Sequence, residues 1–299
     1  MIADISVIIP AHNHAMFLPE AVNTVLAQSL TPREVIVVDD GSTDATGEVL
    51  GEYAGRIRAL RQENQGVAAA RNAGAAMASG TLLAFLDADD VWHPRKLERQ
   101  AVRFAADPRL GLVHCGVVEV DANGHILRTR LDGMEGWVSR EMLLFRRGVI
   151  LGGGSAAVVP RAVFESVGGF DERLSTSADW DLYYRVGERW PVGFVPEPLV
   201  RYRVHAGNMH RNVNAMAADM LGAYAKAFAK EDPELHALRR AAYGRLHAML
   251  AGSYFQAGDY ARFVRHALAS ITARPGQVGY FAGYPVRALR RRLTVSRLG

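Results

Sequence analysis

The chain has 299 residues, 49% of them apolar and 22% charged, with a formal net charge of +4. That composition fits one large folded domain, or one domain with an appendage, and excludes a disordered or fibrous chain. Cys115 is the only cysteine, which excludes an intramolecular disulfide and a cysteine-based zinc site, and no run of about 18 apolar residues exists to span a bilayer.

Taken in chain order, Ile5-Ser-Val-Ile-Ile9 is a short β-branched run halted by Pro10, as expected of a buried parallel strand. Leu18, Ala21, Val22, Val25 and Leu26 then recur on one face of a helix. Glu34–Val38 reads as a second strand ending in Asp39-Asp40-Gly41-Ser42, residues 44–54 as a helix and Ile57–Leu60 as a short strand. An alanine-rich helix over Gly66–Met77, a strand over Leu82–Leu86 and a helix from Pro94 to about Ala106 complete the alternation. Such alternation predicts an α/β fold, an open and mostly parallel sheet with flanking helices, whose ligands bind at the carboxyl ends of the strands. Pro10, Asp39-Asp40 and Asp87–Asp90 all fall at such ends.

From Gly111 to Arg130 the pattern becomes a hairpin turning at Asp121-Ala122-Asn123-Gly124. Residues 139–147, 160–167 and 179–188 read as helices, Gly152–Ser155 as a flexible loop, and Ala156–Val159, Val192–Val195 and Leu199–Tyr202 as short strands. Beyond residue 213 strand signals vanish, and helices over 214–229 and 234–273 are broken at Pro233 and Gly258-Asp259. The expected organisation is a domain over 1–212 and a helical extension over 213–299, with one hairpin around Gly258 faintly like a single tetratricopeptide repeat. After Asp259 there is no acidic residue, while Arg262, Arg265, Arg274, Arg287, Arg290, Arg291, Arg292 and Arg297 follow, so the last 40 residues carry +8 and the first 259 carry −4. An Arg-rich end of this kind suits an anionic membrane surface or acidic polymer, or is a solvated end in a chain with three lysines. With no aromatic interleaving or nucleic-acid motif, no nucleic-acid partner is expected. Asp4 and the absence of a basic-then-apolar leader read as no signal peptide, and one cysteine fits a reducing, cytoplasmic setting.

Asp87-Ala-Asp89-Asp90 is the most informative segment. Three carboxylates in four residues raise one another's pKa unless something cationic lies between them. A hard divalent ion carrying phosphate oxygens would serve; an Asp-rich turn capping the next helix is the alternative.

Four segments carry a resemblance: Ser6–Asn13, Val37–Asp44, Asn64-Gln65-Gly66 with Ala70–Gly74, and Leu86–Asp90 with Pro94. In order and spacing, over about residues 4–210, they resemble family 2 glycosyltransferases. The resemblance implies a GT-A fold, a nucleotide-diphosphate-sugar donor, a Mg²⁺ or Mn²⁺ ion and inverting transfer to a hydroxyl. It places the nucleoside against Pro10 and Ala11, with Asn13 among the donor-binding residues and His12 where the family often has Tyr. It places uracil N3–H on Asp40, with Asp39 supporting the turn, and the diphosphate or a ribose-side carboxylate within reach of Arg71. Gly66 and Gly74 read as close-packing positions.

Asp87 would reach the ribose or sugar and Asp89 the metal, as side chains i and i+2 of an extended segment. Gly169–Glu172 with Asp179-Trp-Asp-Leu resembles the family's second half and makes Asp179 the general base at a helix N-terminus, with Ala178 standing where Glu is usual. Arg201–Asn208 resembles the closing motif, with His205 on the metal or the β-phosphate. The acceptor is expected near Gly152–Ser155 and Trp180. The reading is a UDP-sugar glycosyltransferase with a glycan or lipid-linked acceptor, in surface polysaccharide or glycolipid synthesis. The rivals are an inactive nucleotide-sugar-binding or assembly subunit and a sugar-phosphate nucleotidyltransferase; the latter's glycine-rich phosphate loop is missing, since Pro10–Asn13 stands there.

Overall fold

The computed structural model describes residues 4–145, 148–205, 207–208 and 212–284. The chain divides into two compact units, Met1–Met142 with Arg146–Asn212, and Leu143–Phe145 with Val213–Gly299. The elements run β1 (Ile5–Ala11), α1 (Leu18–Leu26), β2 (Glu34–Asp40), α2 (Thr46–Glu52), β3 (Arg58–Gln62), α3 (Val67–Met77), β4 (Leu82–Phe85), β5 (Val91–Trp92), α4 (Lys96–Ala106), β6 (Leu112–Asp121), β7 (Ile126–Arg130) and α5 (Ser139–Leu144). They continue as β8 (Val158–Pro160), α6 (Arg161–Ser166), α7 (Ala178–Gly187), β9 (Val192–Val204), α8 (Val213–Ala227), α9 (Pro233–Gln256), α10 (Tyr260–Ala273) and α11 (Val278–Ala282).

The first unit is built on one sheet of order β3-β2-β1-β4-β8-β6-β9-β5, with β7 paired to β6. β3, β2, β1 and β4 are mutually parallel, and β8 joins β4 antiparallel. Every residue of β1 is buried, as its unbroken apolar run requires when helices cover both faces. α3 packs on β1 through Gly74, where an added Cβ would lie 2.5 Å from Ile8 Cγ2. Gly66 answers a different need from the close packing expected of it. Nothing lies within 4 Å of its Cβ position, but its φ of +90° favours glycine at the start of α3.

The two short strands expected over 192–202 are one strand of 13 residues, β9. Pro196 and Pro198 cannot donate ladder hydrogen bonds, so the register against β6 shifts between Cys115 and Val117 instead of the strand ending. Its far end, Arg201–Val204, thereby reaches the strand ends of the other half.

Lys96, the first residue of α4, is fully buried. Its Nζ donates to Gln100 Oε1 (2.8 Å) and lies 3.8 Å from the centre of the Trp92 ring. Burial pushes this ammonium down to about 8, with only Cys115 acting the other way. An unfolded lysine titrates near 10.5, so the folded protein loses this proton first. The contribution to stability is therefore present above about 10.5, declines as pH falls, and is gone below about 8. Raising the pH from about 8 to about 10 is expected to stabilise the wild type by about 2 kcal/mol relative to Lys96→Met, read from urea denaturation. Equal pH slopes in the two proteins would contradict a desolvated amine.

In the second unit Asp232 caps α9 by accepting from the amides of Glu234 and Leu235, and Asp259 caps α10 by accepting from Arg262 N. α9 and α10 form a hairpin whose core holds Ala251, Ala267 and Phe281. Among the described residues, no helix is long and apolar enough to cross a membrane. Arg287, Arg290–Arg292 and Arg297 lie outside the described residues.

Candidate active site

A cleft of about 330 Å³ opens along the carboxyl ends of β1, β2 and β4, lined among others by Pro10, Ala11, Asp40, Arg71, Asp87, Asp89 and Asp179. It lies wholly within the first unit. Parallel strands deliver these residues to one edge because each strand ends there and hands over to a helix.

At the β1 and β2 ends the acidic pair divides its work. Asp39 Oδ1 accepts from Ser42 N (2.8 Å) and Oδ2 lies 3.1 Å from Arg61 Nη1, so Asp39 holds the turn as expected. Asp40 accepts from Gln62 Nε2 (2.8 Å), Gln65 N (2.9 Å) and Gly66 N (2.8 Å). Three of a carboxylate's roughly four lone-pair positions are thus spent on its own chain, tying β3 to the start of α3 at the cleft wall. Asn13 sits at φ +56°, and its side-chain oxygen accepts from Thr43 N (2.8 Å) and Asp44 N (3.3 Å). It serves the loop after β2, whereas its neighbour His12 lines the cleft, with Nδ1 2.7 Å from Asp40 O.

The acidic segment after β4 is a turn and not the extended stretch expected, because Asp90 N donates back to Asp87 O (3.0 Å). Asp87 and Asp89 still both line the cleft. Asp90 points inward and is 1% exposed, receiving the Ser155 hydroxyl on Oδ2 (2.5 Å) and Arg203 N on Oδ1 (2.9 Å). Burial, then the charges of Asp89 and Asp87, push its carboxyl well above the usual range. Ser155 also accepts from Asp87 N (3.0 Å), and its carbonyl takes the Trp92 indole N–H (2.9 Å). The glycine loop therefore splints the acidic turn, a role sequence reading missed.

Arg71 is 4% exposed and donates from Nη2 to Asp87 Oδ1 (2.5 Å), with its guanidinium 5.2 Å from the Phe170 ring centre. Burial alone would lower its pKa; the carboxylates of Asp87 and Asp179 outweigh burial and raise it. Its Nε is buried without a hydrogen-bond partner among the described residues, a cationic donor left over in the cleft wall. Space for this pair exists because residue 154 is glycine: a Cβ there would lie 2.6 Å from Arg71 Nη2 and 3.2 Å from Asp87 Oδ1.

Asp179 occupies the first turn of α7, where its Oδ1 accepts from Trp180 N (2.7 Å). Burial raises its pKa, opposed chiefly by Arg71. A Cβ on Gly153 would stand 3.2 Å from Asp179 Oδ2, and the Tyr183 hydroxyl donates to Gly153 O (2.9 Å), so the loop and α7 close this side together. Trp180 stacks flat on Tyr184 at 5.5 Å. Ala178 also lines the cleft.

His205 Nε2 faces Asp89 Oδ2 at 2.9 Å, and Asn208 Nδ2 donates to the same oxygen (3.2 Å). Phe17 stacks on the His205 ring at 5.2 Å, and Arg203 Nε donates to Asp89 O (3.0 Å). Asn208 was legible as part of the closing motif, but its contact with Asp89 was not. Among the described residues no group of three or more His, Cys, Asp or Glu is disposed to hold an ion. A Mg²⁺ or Mn²⁺ ion bound mainly by substrate phosphates needs only one or two protein ligands. Asp89 Oδ2 and His205 Nε2 stand side by side, joined by their own hydrogen bond, and the carboxylate is the ligand type that Mg²⁺ or Mn²⁺ takes. The pair fits such an ion.

The sequence profile described as glycosyl transferase family 2 matches residues 6–168. An uncharacterized glycosyltransferase of Rickettsia prowazekii is 31% identical over 233 residues, 76% of this chain and 73% of that protein. Other relatives of the same description are longer, and the chain spans 34% of two of them. Staphylococcus aureus TarS, solved with UDP-GlcNAc, superposes with a TM-score of 0.60 at 17% identity, over 91% of this chain and 92% of that one. A mannosyltransferase of Pyrobaculum calidifontis, solved with GDP-Man and Mn²⁺, gives 0.62 at 21% identity, over 96% and 81%. The chain belongs to glycosyl transferase family 2 and has the GT-A fold.

Proposed function

We propose that the chain is a divalent-metal-assisted, inverting glycosyltransferase that moves a hexose from a UDP-sugar to an acceptor hydroxyl, in surface polysaccharide or glycolipid synthesis. The observation that carries the reading is the convergence of Asp87, Arg71, Asp179 and Asp89 on one cleft at the strand ends, with His205 hydrogen-bonded to Asp89. The UDP-GlcNAc and GDP-Man/Mn²⁺ complexes of the structural neighbours support a nucleotide-sugar donor and a metal.

Pro10 and Ala11 flank the nucleoside, and Asp40 offers its remaining lone pair to uracil N3–H while holding the loop before α3 in place. Asp87, oriented by Arg71, takes the ribose or sugar hydroxyls, and the Arg71 guanidinium in the cleft wall draws in the diphosphate by its charge. Asp89 and His205 would hold the Mg²⁺ or Mn²⁺ ion, which when bound neutralises charge on the departing diphosphate. Asn208 and Phe17 fix the orientation of that pair.

Asp179 accepts the proton of the acceptor hydroxyl as its oxygen attacks the anomeric carbon. The new C–O bond forms on the face opposite the breaking bond to the phosphate oxygen, and UDP leaves with that bonding pair. The proton stays on the Asp179 carboxylate until solvent takes it. The acceptor approaches past Gly153 and Trp180. The cationic C-terminal arginines suit an anionic membrane surface at the cytoplasmic face, where a lipid-linked acceptor would lie.

Incubation with a panel of UDP-sugars and hydroxyl acceptors tests the proposal. UDP release that requires acceptor and divalent ion, with inverted anomeric configuration by NMR, is expected. Release of pyrophosphate from sugar phosphate and UTP would establish the nucleotidyltransferase instead.

A further inference from the structure

Lys96 is a fully buried amine that takes no part in the reaction as described, yet its partners lead to the cleft. Its Nζ donates to Gln100 Oε1 (2.8 Å) and lies over the Trp92 ring. Gln100, also fully buried, donates from Nε2 to Val113 O and Ala156 O (both 2.8 Å). The Trp92 indole N–H donates to Ser155 O (2.9 Å). Both partners of Lys96 therefore end on the turn Gly153–Ala156. From that turn Ser155 Oγ takes the Asp87 amide (3.0 Å), and Gly153 O takes the hydroxyl of Tyr183, a neighbour of Asp179 (2.9 Å).

We propose that Lys96 is a positioning residue for sugar transfer: by fixing the Gln100 amide it holds the turn Gly153–Ala156, and with it Asp87 and Asp179, in working register. This role rests on the transferase reading of the cleft. An ammonium can only donate, and a backbone carbonyl can only accept. The Gln100 amide therefore has one satisfying orientation, with its oxygen on Lys96 and its nitrogen between Val113 O and Ala156 O. An apolar side chain at 96 would leave Gln100 Oε1 without its buried donor and free the amide to turn. A turned amide sets its oxygen against two carbonyls and releases Ala156. Burial of the amine is unfavourable in itself, and methionine would pack a similar volume. The bond to Gln100 is what a lysine adds here. Ser155 holds the donor-side Asp87, and Gly153 abuts Asp179, where a Cβ would stand 3.2 Å from Oδ2. A shift of the turn thus misplaces the donor sugar and the base relative to each other.

Steady-state kinetics and hydrogen exchange of the full chain carrying Lys96→Met test it, with kcat expressed per UDP-binding site so that unfolded protein does not count. With a UDP-sugar and acceptor that the wild type turns over, kcat is expected to fall about 10- to 100-fold while UDP affinity stays within about threefold. Amide exchange over residues 152–157 is expected to quicken at least about tenfold, with β1 unchanged. Gln100→Leu is expected to lower kcat similarly. Lys96→Met/Gln100→Leu is expected to fall no further than Gln100→Leu alone, because the two residues act as one unit. Multiplied losses in the double variant would overturn action through Gln100. Wild-type kcat per site in Lys96→Met, with or without faster exchange, would overturn the positioning role and leave the transferase reading standing. A wild type that turns over no UDP-sugar would remove that reading, and the role of Lys96 with it.

Discussion

Asp179→Asn is expected to lower kcat by about 10³ and leave donor affinity within a few-fold of wild type. Asparagine keeps an oxygen for the Trp180 amide, so the start of α7 is preserved and only proton acceptance is lost. The wild-type rate should also fall on the acid side at a pH above that of an ordinary aspartate. Burial holds the Asp179 carboxyl above 3.8, and the rate follows its ionised fraction. The groups that face it are Arg71, which favours ionisation, and Asp87 and Tyr183, with the Asp87 charge disfavouring it. Stopped-assay rates across pH 4–8 measure the profile. An Asp179→Asn enzyme with wild-type turnover would place the base elsewhere.

Arg71→Met is expected to destabilise the fold by about 3–5 kcal/mol, because Asp87 and Asp179 would be left in the cleft wall without their shared cation. The same substitution should shift the acid limb of any residual activity to higher pH, since the influence that lowers the Asp179 pKa is gone. Arg71→Lys restores the charge but not the planar guanidinium between Asp87 and the Phe170 ring, so partial recovery of stability is expected. Denaturant titration of the three proteins measures this. An Arg71→Met protein as stable as wild type would mean the two carboxylates are well solvated.

The parallel half of the fold was legible because buried strands leave unbroken apolar runs and each ends in a punctuating Pro, Asp or Gly. β9 was not, since Pro196 and Pro198 read locally as a break, and only pairing with β6 carries the strand across them. The candidate site was legible as residue types at strand ends. Its internal wiring was not: Ser155 meets Asp90 across 65 positions, and Arg203 N meets Asp90 across 113, and neither pairing leaves a local pattern. Gly66 was misread for a related reason, because a positive φ and a close contact select the same residue. Lys96 was invisible as a buried amine, since a lysine in the first turn of an amphipathic helix ordinarily reads as surface.

Asp89 and His205 are proposed to hold a divalent ion together with a nucleotide diphosphate. Calorimetric titration with UDP, GDP and TDP, each with and without Mn²⁺, tests it most directly. UDP binding that requires Mn²⁺ and weakens by about 100-fold or more in Asp89→Ala is expected. No binding of any nucleotide diphosphate, or equal UDP affinity with and without Mn²⁺ in both proteins, would contradict it.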